Sequence, residues 1–177
     1  MRLTKTLAVV TTVAALTALT GCGSDGDALS GLPKADDMAT LEKLINAHST
    51  CRELQAGTAR LGDAGTKMVK DPAFAVKEAA TCKAADGDKV RLFLVSDMKK
   101  FQEANKKAQD ADASFDSAYM IGQNFAVVPG SNDAKELKPA GFAMMTCNPA
   151  NKAKIPSGYK VDEPLVKGCI VTDYFPG

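Results

Sequence analysis

The spacing of hydrophobic and polar positions changes several times along the chain, and each change predicts an element. After Asp36-Asp37, the residues Met38, Leu41, Leu44, Ile45 and His48 recur at three- and four-residue intervals. An aspartate before such a run can accept from the free N–H groups of a first helical turn, so a helix is expected to start at 37. Thr50-Cys51-Arg52-Glu53 has the form of a capping box, which extends the expectation to a long or broken helix over residues 37–56. Gly57, Gly62 and Gly65 make the following stretch read as loose. Beyond Asp71-Pro72 the period falls to two. Ala80, Cys82 and Ala84 alternate with Thr81 and Lys83, Asp86-Gly87-Asp88 suits a tight turn, and residues 90–95 (VRLFLV) form the clearest strand signal.

Ser96 or Asp97 can cap the next run, residues 97–110, in which Met98, Phe101, Ala104 and Ala108 share one face. Lys99, Gln102, Glu103, Lys106 and Lys107 fill the remainder. The order then recurs: residues 117–121 and 125–128 flank Gly122-Gln123-Asn124, a second hairpin, and Asn132 or Asp133 caps a helix through Leu137. Pro139 interrupts or restarts that helix, which residues 140–146 are expected to continue. The tail from about residue 148 carries Pro149, Pro156, Gly158, Pro164 and Gly168 and reads as mostly irregular, with an edge strand over residues 169–175. The predicted fold is α+β: an N-terminal helix, then two β-hairpin-plus-helix units, with helices on one face of a largely antiparallel sheet.

The beginning of the chain has a different character. Arg2 and Lys5 precede an apolar run of 13 residues, 7–19 (LAVVTTVAALTAL), diluted by three threonines. Crossing a ~30 Å hydrocarbon core takes ~20 apolar residues, so this run is too short for a transmembrane anchor and has the build of an export signal. No A-x-A-like cleavage site follows it; Leu19-Thr20-Gly21-Cys22 does, and it resembles the lipobox of bacterial lipoproteins. The chemistry requires a thiol to carry a diacylglycerol thioether and small neighbours that admit a peptidase. The resemblance covers about the first 25 residues. It implies that residues 1–21 are a lipoprotein signal peptide and that Cys22 becomes a lipid-bearing N-terminus on the extracytoplasmic side of the cell membrane. Two buried acyl chains hold where one is marginal, at ~0.8 kcal/mol per methylene. Residues 22–35, rich in Gly, Ser and Asp, are expected to be a flexible tether, and residues 36–177 a single domain. The hairpin–helix rhythm and cysteine placement are also similar to small, uncharacterised bacterial surface lipoproteins, a likeness that implies no mechanism.

With Cys22 assigned to lipid, Cys51, Cys82, Cys147 and Cys169 remain, an even number in an exported chain, where disulfides persist. Of the three connectivities, Cys51–Cys82 and Cys147–Cys169 close the shorter loops and are favoured. The chain has 22 basic and 21 acidic residues; without Arg2 and Lys5 the balance is 20 against 21, or −1. A near-neutral domain excludes the strongly basic footprint of nucleic-acid binding.

Candidate chemistry is sparse. His48 is the one histidine, and Ser49 beside it points elsewhere on a helix, so no Ser-His or Cys-His nucleophile is indicated. No CxxC, GxxxxGK[ST], GxGxxG or HExxH occurs. Glu53 and Glu78 are weak candidates for a carboxylate pair, recognisable only by separation in space. Lys99, Lys100, Lys106 and Lys107 are expected to form a solvated face rather than a headgroup site, and Met120, Met144 and Met145 to fill core rather than bind copper. No cofactor or metal is implied. The expected function is therefore a non-catalytic binding module, anchored to the membrane at Cys22, whose partner is an envelope protein or a small ligand. The alternative is a hydrolase whose carboxylates are assembled by folding.

Overall fold

The fold is that of a computed structural model, which describes residues 29–112, 118–130 and 133–175. The expected signal peptide, the lipobox with Cys22, and Ser117 and Asn132 lie outside the described residues.

An α+β architecture is present. Eight strands form one antiparallel sheet in the order β1-β2-β3-β5-β4-β6-β8-β7. They are β1 (Arg52–Ala56), β2 (Val76–Lys83), β3 (Lys89–Val95), β4 (Tyr119–Ile121), β5 (Phe125–Val128), β6 (Ala143–Thr146), β7 (Val161–Asp162) and β8 (Ile170–Thr172). The helices are α1 (Met38–Asn46), α2 (Gly62–Lys70), α3 (Met98–Ala111), α4 (Asp133–Leu137) and α5 (Pro149–Lys152). Asp37 and Asp97 cap α1 and α3 by accepting from the Thr40 and Lys100 N–H groups, at 2.7 and 3.0 Å.

Helices cover both faces of the sheet, not one. On the first face Leu41 and Ile45 of α1 pack with Leu92, Leu94, Phe125 and Val127. On the second, Met68 of α2 and Phe101 of α3 pack with Phe93, Val95, Ala126 and Met145. The apolar runs over residues 92–95 in β3, 125–128 in β5 and 143–145 in β6 follow from this: a strand buried on both faces has no polar side to alternate with. Phe101 is fully buried and meets Phe74 and Tyr119 edge-on, at 6.2 and 5.3 Å between ring centres.

Four local expectations are corrected. First, the helix predicted over 37–56 stops at Asn46, whose side chain accepts from the Cys51 N–H at 2.7 Å and donates to its carbonyl at 3.1 Å. The Cys51–Cys82 disulfide then ties the next residues into β1 beside β2, so Glu53 is a strand residue with φ of 58° and not part of a capping box. Second, the stretch read as loose holds α2. Buried Gly65 leaves room for the Leu61 side chain at the start of this helix, since a Cβ there would stand 2.9 Å from Leu61 Cβ. Third, residues 140–146 do not continue a helix. A short 3-10 turn (Lys138–Ala140) ends at Gly141, with φ of 79°, and β6 follows, with Met144 and Met145 facing opposite cores. Fourth, the C-terminal strand β8 is not the edge, because β7 pairs outside it.

The register defines two ends. Leu94 pairs with Phe125 and Ile121 with Ala143, so the 122–124 turn, the end of β3 and the start of β6 lie together. Lys83 pairs with Lys89 and Thr146 with Ile170, which places both disulfides, Cys51–Cys82 and Cys147–Cys169, at the opposite end.

Candidate functional site

The residues expected to be tether are in part structural. Leu29 is 4% exposed and Ala35 fully buried. Leu29 and Leu32 pack into the α2–α3 core, whereas Ala35 and Met38 belong to the α1 core, so residues 29–35 cross the end of the sheet from one face to the other. Leu29 and Ala35 thus pack with the same two cores as the sheet.

The β4–β5 turn holds this strap. The Gln123 N–H donates to the Pro33 carbonyl at 2.8 Å, and its side-chain amide donates to the carbonyls of Leu32 and Ser30 at 2.7 and 3.2 Å. Asn124 donates to the Ala35 carbonyl at 2.6 Å and accepts from the Ala35 N–H at 3.0 Å. Sequence reasoning took Gln123 and Asn124 as turn residues only. Their signal is chemical: an amide side chain can both donate and accept, so it can pair with strand-like backbone.

Beside the strap is a cleft of about 300 Å³ with Leu32, Phe142 and Val171 among its walls and Lys138, Lys160, Asp162 and Asp173 on its polar side. Lys160 bonds Asp162 at 2.8 Å, which holds its ammonium above the usual lysine range, with Asp173 adding to the effect. The Lys160 N–H also donates to Asp173 at 2.8 Å. The Lys138 ammonium stands over the rings of Tyr159 and Phe175, 5.4 and 6.0 Å from their centres. A second, more apolar cleft of about 230 Å³ lies over β6 and β8, between Met144, Thr172, Ile155 and Tyr174. Both clefts combine apolar walls with a few polar or charged side chains.

No protein-family model matches this chain, and no curated protein or solved structure matches it. Its chemistry therefore rests on the side chains themselves.

The sequence candidates fall as follows. His48 is exposed just past α1, where its N–H and that of Ser49 both donate to the Ile45 carbonyl. Glu53 bonds Lys83 at 2.7 Å, and that hydrogen bond holds its carboxyl below the usual range. Glu78 lies beside Lys77. Arg52 pairs with Lys83, five positions along β2 from Glu78. Glu53, one residue on from Arg52, is thus about four positions from Glu78, roughly 14 Å along the strands at ~3.4 Å each and beyond the ~5–9.5 Å of a glycosidase pair. Of the α3 lysines, Lys100 pairs with Asp97 and Lys106 with Asp110. Met120 and Met144 share one core and Met145 lies in the other, all buried. Among the described residues no three His, Cys, Asp or Glu side chains gather as metal ligands, and no helix is long and apolar enough to cross a membrane.

Proposed function

We propose that this chain is an exported lipoprotein, anchored through Cys22 to the extracytoplasmic face of the cell membrane, and that its domain is a non-catalytic binding module. The observation that carries the reading is the cysteine arrangement. Cys51, Cys82, Cys147 and Cys169 are consumed in two disulfides, bonds that persist in oxidising compartments, and Cys22 is the one cysteine left over. It stands at the end of a short apolar run behind Leu19-Thr20-Gly21. The module is built on two successive hairpin-plus-helix units, β2–β3–α3 and β4–β5–α4.

Two clefts with apolar walls and charged rims support binding of an envelope protein or a small ligand. The hydrolase reading draws no support from Glu53 and Glu78. Mass spectrometry of the mature N-terminus tests the anchor: the expected species starts at Cys22 and carries diacylglycerol. Cys22→Ser should leave the precursor unprocessed or release the protein from the membrane fraction. A mature chain that starts elsewhere without lipid overturns the reading.

A further inference from the structure

We infer that the domain stands on the bilayer with its 122–124 end toward the lipid, that Tyr159, Val161 and Lys138 meet the headgroup layer there, and that the disulfide end faces away. This rests on the proposed lipid at Cys22.

The argument starts from the leash. Six residues, 23–28, separate Cys22 from Leu29. Whatever their conformation, the seven steps from Cys22 to Leu29 span at most ~25 Å. Leu29 is buried, and the strap that follows it is bonded to Gln123 and Asn124, so the lipid is attached at this end of the sheet. An inverted domain would have to stretch the leash past the strands. Lys89 alone lies five β3 positions beyond the Leu94–Phe125 pair, roughly 17 Å at ~3.4 Å each, with the 86–88 turn farther still. Most of the reach would be used up in an extended chain.

The surface at the lipid end fits the same partner. Among the described residues, Tyr159 and Val161 are the exposed large hydrophobic side chains, at 41% and 43%. Val161 pairs with Thr172, and Thr172 with Met144, one position in from the Ile121–Ala143 pair, so both side chains lie toward the 122–124 end. Lys138 lies over the Tyr159 ring. A tyrosine with an adjacent lysine offers apolar area to the acyl boundary while hydroxyl and ammonium remain among headgroups.

The chain contains no tryptophan, so single substitutions give unambiguous fluorescent probes. Lipidated Tyr159→Trp, Val161→Trp and Lys89→Trp proteins would be reconstituted in phosphatidylcholine–phosphatidylglycerol vesicles with brominated acyl chains. Flotation reads the anchor, and quenching reads the orientation. The expected result is co-flotation of all three, roughly twofold quenching at 159 and 161, as for side chains within ~5–10 Å of the headgroup–acyl boundary, and almost none at 89. Co-flotation with equal quenching everywhere, with none, or with quenching at 89 alone overturns the orientation while leaving the anchor standing. Failure to float overturns the anchor, and the orientation falls with it.

Discussion

Gly122 and the Pro33 carbonyl are so close that no side chain fits between them: a Cβ on Gly122 would overlap that oxygen and the Phe125 ring. Gly122 is not among the glycines at positive φ, so the requirement is for room and not for a left-handed backbone. Gly122→Ala should force the strap off the turn at a cost of about 1–3 kcal/mol, the range for overpacking a tight contact. Urea unfolding measures the loss, and limited proteolysis should cut within residues 29–35. Gly31→Ala, where a Cβ meets nothing within 4 Å among the described residues, should change stability by less than about 0.5 kcal/mol. Equal stability of both variants would show that the strap is not clamped.

Much of the α3 half of the sheet was legible because its signals are local. Asp97 before an amphipathic run, Asp-Gly in a hairpin and VRLFLV as a strand need no distant partner, and each appears within a residue or two of its expected place. Elsewhere the outcome depended on tertiary partners. Residues 52–56 became a strand because a disulfide holds them to β2, which local propensity does not reveal. Residues 143–146 became a strand because cores on both faces accept Met144 and Met145 alternately. The clamp was illegible for a different reason: Gln123 and Asn124 bond residues 89 to 93 positions away, and no local pattern points to that pairing.

Each disulfide closes a loop whose entropy the unfolded chain regains on reduction. With separations of 31 and 22 residues, Cys51–Cys82 and Cys147–Cys169 should each contribute about 3–4 kcal/mol. Paired Cys→Ser variants, unfolded in urea against the parent, check this. Loss of Cys51–Cys82 should also speed amide exchange in β1, the edge strand it fastens; unchanged exchange there would show that β1 is held by its ladder alone.

Gln102 sits in the helix interface facing the second disulfide, where its backbone carbonyl lies 3.8 and 3.9 Å from the two sulfurs. The side chain is fully buried, and among the described residues neither amide atom has a hydrogen-bond partner. This corrects the exposed position expected for it on α3. Burying an unpaired amide costs about 1–3 kcal/mol. Gln102→Met keeps the length and removes the polar atoms, so it should stabilise the fold by about 1 kcal/mol or more. Thermal unfolding decides: a lower midpoint for the variant would mean that the amide is satisfied in solution.

Asp37 links helix capping to acid stability. Its carboxylate accepts from the Thr40 N–H, and that bond, with smaller help from Lys43, lowers its pKa in the folded chain. A folded value below the unfolded one, about 3.9, means that ionised Asp37 stabilises the domain above that pH. The contribution is lost as pH falls through the lowered folded value. Asp37→Asn keeps an oxygen for Thr40 but cannot ionise. The stability gap between parent and variant should therefore be constant from about pH 7 to 5 and close below about pH 4. Glu53, also lowered by Lys83, titrates identically in both proteins and cancels in the difference. Urea midpoints measured across this range give the test, and a gap that stays fixed into strong acid would show that the N-cap works through its oxygen and not its charge.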